Sequence, residues 1–237
     1  MAEQKKRIDI IDALRGLSLI LMVIHHFLLD LIVLCGAPRW LFSNPVFDVL
    51  HYIFAGAFIF LAGVSCRLSR SNLKRGVKCF AIAMVMTLVT GLIDSIIVFG
   101  VLHLLGFSMI FFALTGKVWD AIPRKIAPVL YIALLVGSNW LIGNVHIGEA
   151  AHWLFPLGWT YPGFHSADWF PIFPWLFVFL TGTWFGLYVK ERKLPDWFYD
   201  FTCPVLPRVG RQSLLVYVLH QPVLYALIYG AKFIFKF

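Results

Sequence analysis

Residues 22–31 read MVIHHFLLDL, placing His25, His26 and Asp30 inside a run otherwise fit for lipid. An isolated charge at that depth costs at least ~2.5–3.5 kcal/mol on insertion scales. Pairing or function must offset the cost. Residues four apart share a helix face, so Asp30 falls one turn from His26, whereas His25 points about 100° away. A carboxylate at that spacing can orient an imidazole, select its tautomer and raise its basicity, as a general base requires. The structural alternative is an anchor in which Asp30 pairs with an Arg or His of a neighbouring span. Arg15 precedes His26 by eleven residues. That is about three turns, or ~16 Å, so Arg15 lies close to the same face at the other end of the span.

Other apolar runs repeat the pattern. Asp48 and His51 stand in the outer turns of a second span, and His103 about two turns into a fourth, within FGVLHLLG. Asp168 lies just outside a sixth, and His220 with Gln221 near the middle of a seventh. Each such group needs a polar partner in a solvent that offers none. The expectation is a polar, water-filled cavity between spans one, two, four and seven, opening outward. Pro171 and Pro174 predict an irregular entry to span six, and Pro222 a bend beside His220, because proline removes a helical hydrogen bond. No P-loop, dinucleotide fingerprint, GxSxG or HExxH occurs, and adjacent histidines diverge on a helix, so no metal is expected. Cys35, Cys66, Cys79 and Cys203 form no CxxC pair and read as small apolar residues near span ends.

The elements that must position these groups follow from composition. The 237 residues are 60% hydrophobic and 14% charged, with a mean hydropathy of +0.83. Apolar runs near 20 residues recur, the length that crosses a hydrocarbon core. The predicted class is all-α: a polytopic helical membrane protein of about seven spans around the cavity, residues 1–237 forming a single domain. The spans fall at roughly 12–34, 47–66, 76–94, 97–116, 126–145, 170–189 and 211–234. The first is read as a retained span rather than a cleaved leader. Sixteen of the twenty Lys and Arg fall in the tail MAEQKKR and in alternate connections. That alternation predicts a cytosolic N-terminus and an external C-terminus. The net charge of +8 then reflects orientation and anionic lipid rather than nucleic acid. The longest external segment, 146–169, is rich in Trp, Gly, Pro and His and reads as an interfacial belt or a lid. The tightest hairpin is expected at Asp94–Ser95.

Five stretches in order carry a resemblance: IDIIDALRGLSLILMVIHHFLLDL, FIFLAGVSCRLSR, FGVLHLLG, DWFPIFPWLFVFLTG and VGRQSLLVYVLHQPVL. Together they resemble the catalytic domain of heparan-alpha-glucosaminide N-acetyltransferase, in its short bacterial form. The opening LRG…H also resembles span one of the wider transmembrane acyltransferase superfamily. There an Arg of the RG motif and a His three turns later are linked to catalysis, and these positions fall on Arg15 and His26. The resemblance implies an integral enzyme of a bacterial cytoplasmic membrane. Such an enzyme moves an acetyl or other short acyl group from acetyl-CoA (acyl-CoA) to an extracytoplasmic sugar or glycan. Arg15 would meet donor phosphates. His26 with Asp30 would act where acceptor and thioester meet, with His103 and His51 as alternative bases. Asp48, Asp168, His220 and Gln221 would contact substrate. Transfer is direct or passes through an acyl-imidazole, and a homodimer is admitted.

Two other readings compete. Several His and Asp in seven spans could hold zinc in an intramembrane metal-dependent hydrolase, although no span carries His at i and i+4. They could instead form the relay of a proton-coupled transporter or flippase, although no internal repeat supports one.

Overall fold

In the computed structural model, which describes residues 7–42, 44–93 and 95–235, the apolar runs are helices because only internal pairing satisfies the backbone in hydrocarbon. They are α1 (Asp9–Cys35), α2 (Pro45–Leu68), α3 (Asn72–Gly91), α4 (Val101–Asp120), α5 (Ala127–Asn144) and α6 (Ile172–Lys190). Two short helices, α7 (Asp196–Asp200) and α8 (Leu206–Arg211), lead into α9 (Ser213–Phe235). Each expected span thus has its helix. Six of these seven long helices are long and apolar enough to cross a membrane. The exception is α3, whose first turns carry Lys74, Arg75 and Lys78.

Two boundaries differ from the hydropathy reading. Span three starts at Asn72 rather than 76, because Ser71 accepts the Lys74 N–H at 3.4 Å and caps a polar first turn. Span four starts at Val101 rather than 97. His103 therefore occupies the first turn of α4, not a position two turns deep. Asp94 and the basic residues Lys5 and Lys6 lie outside the described residues. α1 ends on Gly36 at φ 68°, where the N–H groups of Gly36 and Ala37 reach Ile32 and Leu31 carbonyls at 3.2 Å. That left-handed turn favours glycine.

The chain forms two compact units, Met1–Phe58 with Leu194–Phe237, and Ile59–Lys193. In the first, α1 crosses α8 at a reciprocal glycine contact. A Cβ on Gly16 would overlap the Leu206 carbonyl, and one on Gly210 would overlap the Asp12 carbonyl. Ion pairs from Arg211 to Asp9 and Asp12 fasten the start of α1 beside the start of α9. Lys232 Nζ donates to the Leu34 carbonyl at 2.7 Å and fastens the far ends. α1 and α9 therefore run parallel, which aligns their polar residues.

In the second unit, Gly63 and Gly182 make the equivalent crossing of α2 on α6. Each would drive a Cβ into the other helix's backbone, at Phe179 and Phe60 respectively. Small residues are how membrane helices approach closely when hydrocarbon offers no hydrophobic drive. At one end of this unit Arg67, Asp120, Arg124 and Glu191 converge from α2, α4, the α4–α5 link and the residue just after α6. At the other, Ala167 and Phe170 N–H groups donate to Ile96 and Phe99 carbonyls at 3.0 Å, tying the α5–α6 segment to the α3–α4 link. α6 has the irregular entry expected of its prolines: Phe173 is extended, at φ −103° and ψ 134°.

Gly16→Ala and Gly182→Ala should each destabilise the protein by about 1–3 kcal/mol, the usual cost of overfilling a packed contact. Gly137→Ala, whose Cβ meets nothing within 4 Å, should be neutral or mildly stabilising. Thermal unfolding in detergent of the three variants measures the difference.

Candidate functional site

The first unit gathers most of the candidate residues, because α1 and α9 run side by side. The His26 and His220 rings face each other with centroids 4.9 Å apart. One turn further on, Gln221 Nε2 donates to both Asp30 carboxylate oxygens, at 3.0 and 3.1 Å. Two rungs therefore join the helices: imidazole to imidazole, then amide to carboxylate. Asp30 is 3% exposed, and Gln221 supplies the partner its burial demands. Helix spacing alone places Asp30 one turn from His26. The structure gives Asp30 to Gln221 instead, and His26 takes no hydrogen bond among the described residues. Sequence spacing detects a neighbour on the same helix but not a stronger partner on another.

His220 is anchored. Its Nδ1 lies 2.6 Å from the Tyr217 carbonyl. A carbonyl only accepts, so Nδ1 carries the proton and the neutral ring keeps its lone pair on Nε2. On the other side of α1, the His25 ring stands 4.6 Å from that of His51 on α2, and 5.9 Å from His26. Four imidazoles thus run in sequence, His51, His25, His26 and His220, across three helices of this unit. Buried His25 Nδ1 has no hydrogen-bond partner among the described residues, and neither does Gln221 Oε1 beside the row. Asp48, one turn before His51, is exposed in the first turn of α2. Arg15 pairs with Asp12 at 3.0 Å, beside the Arg211 pair that ties α1 to α8.

The second unit holds the other two candidates at the start of α4, in structural networks. Gly100 N–H donates to His103 Nδ1 at 3.1 Å, so Nε2 carries the proton. Nε2 then donates to Thr87 Oγ1 at 3.2 Å, and that hydroxyl donates to the Ile97 carbonyl at 2.6 Å. The His103 lone pair and proton are both in use, capping a helix whose first N–H groups lack partners. Asp168 accepts the Val101 N–H at 3.0 Å and completes the cap. A glycine three residues before a histidine does not resemble the usual Ser/Thr…Glu/Gln capping box, so the sequence carried no sign of it.

One feature passed unread in the sequence. Arg67, in the last turn of α2, donates through Nε to the Thr183 carbonyl at 2.9 Å and through both terminal nitrogens to Asp120. It also lies 4.6 Å over the Phe112 ring. Beside it, Arg124 pairs with Glu191. Arg124, with help from Lys193, holds the Glu191 carboxyl at about 2, well below the usual range. The pair is therefore intact throughout the physiological range and is lost only as pH falls through about 2.

Apolar helices of membrane-crossing length, with titratable side chains matched across them at depth, define a polytopic integral membrane protein with an intramembrane polar site. The chain belongs to the heparan-alpha-glucosaminide N-acetyltransferase catalytic family, whose model matches residues 7–222. The match takes in the five stretches quoted above, save the last two residues of the fifth. Membership implies a membrane acetyltransferase. No curated protein and no solved structure matches the chain.

Removing one half of the amide–carboxylate rung leaves the other buried and unmatched. Asp30→Leu and Gln221→Leu should each cost about 1–3 kcal/mol. The double variant should cost less than the sum, because it removes both partners together. A double-mutant cycle on denaturation midpoints reads the coupling, and strict additivity would contradict the rung.

Proposed function

We propose that this protein transfers an acetyl group from acetyl-CoA to an extracytoplasmic sugar hydroxyl or amine, with His26 as general base. The observation that carries the reading is the facing His26–His220 pair, with no direct hydrogen bond from His26 and an unmatched Gln221 Oε1 one residue beyond His220. A sugar hydroxyl or amine that approached the edge of the His26 ring would meet a proton acceptor there. A second donor of the sugar would satisfy the amide oxygen.

In the reaction the acceptor's O–H or N–H proton passes to the His26 lone pair as the new O–C or N–C bond forms at the thioester carbonyl. The C–S bond then breaks, and the thiolate leaves with the proton returned by the imidazolium. Asp30 acts through its charge. At ~6 Å and an effective dielectric of ~20, that is worth ~2–3 kcal/mol to a transient imidazolium. His220, fixed by Tyr217, holds the acceptor against His26. His25 and His51 line the α2 side of the same outward-opening cavity, with Asp48 at its rim. Arg15 meets donor phosphates at the cytosolic edge. His103 and Asp168 position α4 rather than react.

The compartment we infer is a bacterial cytoplasmic membrane, with the N-terminus cytosolic and the C-terminus external. Residues 1–237 act as one functional domain. The alternation of basic connections supports this orientation. A reporter fused after Phe237 should read as external.

The catalytic test uses purified protein in proteoliposomes with labelled acetyl-CoA and an amino-sugar acceptor. His26→Ala should lower transfer ~10²–10⁴-fold, and Asp30→Asn ~30–150-fold through loss of the charge alone. His25→Ala should be milder than either. Near-normal transfer by folded His26→Ala would end the proposal. Arg15→Lys should raise the KM for donor more than that for acceptor, because Lys lacks the planar fork that grips phosphate.

A further inference from the structure

The second unit contains a cavity of about 220 Å³, bounded by Arg67, Trp119, Asp120, Arg124, Tyr131 and Trp184. It lies at the end where the basic connections of that unit meet, and no histidine lines it. At ~300–1,000 Å³, whole-ligand clefts are larger, so this space suits one flat moiety rather than a complete substrate.

The lining is prepared for a ring. Trp119 Nε1 donates to Thr115 Oγ1 at 3.1 Å, and Trp184 Nε1 to the Arg124 carbonyl at 2.9 Å. Both indoles are therefore held by their edges, and Trp119 beside Phe111 and Tyr131, with Trp184 beside Tyr188, fixes the aromatic surface that a flat ring would meet. Tyr131, 2% exposed, lines the same space, and its hydroxyl takes no hydrogen bond among the described residues. A hydroxyl open toward this space can meet a ligand's polar edge. The two arginines are committed: Arg67 to Asp120 and the Thr183 carbonyl, Arg124 to Glu191. Charge for an anion must come from the rim. Lys117 lies three residues before Asp120, Lys190 three after Leu187 of the lining, and Lys125 beside Arg124. All three are exposed, and none makes an ion pair among the described residues.

We propose that this cavity binds the adenosine end of the acyl donor, the base stacked on the indoles and hydrogen-bonded by Tyr131, the 3′-phosphate on the lysine rim. The inference rests on the acetyl-CoA reading above for the donor's identity, and on the cavity itself for the site. Base–aromatic stacking and lysine–phosphate attraction are sequence-independent ways of holding a nucleotide.

The test measures equilibrium binding of adenosine 3′,5′-bisphosphate, which has no thioester, to the full chain in nanodiscs. Acetyl-CoA turnover is measured in parallel. Tyr131→Phe removes one oxygen and keeps the ring. It should weaken binding about five- to tenfold, the effect of one hydrogen bond. The Lys117→Gln, Lys125→Gln, Lys190→Gln triple variant, changed only on the surface, should weaken binding and flatten its dependence on salt. Wild-type binding that neither variant alters would overturn the site. Turnover of acetyl-CoA with no bisphosphate binding would overturn it too, and would leave the acetyltransferase reading standing. Binding that Tyr131→Phe weakens, in a protein that never uses acetyl-CoA, would establish the nucleotide site and remove the acetyltransferase reading.

Discussion

Hydrocarbon accepts no hydrogen bonds, and that single fact organises this molecule. Backbone groups are satisfied within helices, so the chain is helical wherever it is apolar. Side chains that are polar at depth must be satisfied by other side chains, so they draw particular helices together. Asp30 reaches Gln221 on α9, and Lys232 reaches the end of α1. Neither contact would be worth much in water, where each group has solvent as an alternative. Glycine supplies the complementary half. Lipid tails are as apolar as leucine, so close backbone approach must replace hydrophobic attraction, and Gly16 with Gly210 shows how close it becomes.

The same constraint separates the histidines by role. His103 has both ring nitrogens engaged in building the start of α4, so its burial is fully accounted for by structure. His220 has one nitrogen committed to a carbonyl, which settles its tautomer. His26 has a facing ring but no hydrogen bond of its own. A half-buried imidazole without hydrogen bonds is left open to a substrate group, which can complete it on binding. Family membership says an acetyl group moves. The unequal satisfaction of the rings is what points to one of them.

The second unit applies the logic to charge. Arg67 and Arg124 are saturated by carboxylates and carbonyls at the ends of their helices. They hold α2, α4 and α6 in register there instead of presenting free cations. What they leave between them is a small space walled by edge-anchored indoles and a tyrosine hydroxyl. Aromatic walls and ion-paired arginines leave little ordering to be done in such a space.

Composition and periodicity alone determined the class, the approximate number of spans and the alternation of charged connections, because hydropathy over 20 residues depends on the local chain and the membrane's thickness. The order of five short stretches carried the resemblance to the family. Helix spacing placed Arg15, His26 and Asp30 on one face for the same local reason. The partners were decided only by the tertiary structure. That Asp30 takes Gln221 rather than His26 depends on α1 and α9 running parallel, which no spacing within either helix contains. That His103 caps a helix depends on where α4 begins, a matter of Gly100 and Asp168 rather than of hydropathy. The cavity beside Arg67 depends on four helix ends meeting. Hydrogen bonds act over about 3 Å between groups that can lie a hundred residues apart. Sequence therefore shows which side chains need a partner, and only the folded chain shows which partner is within reach.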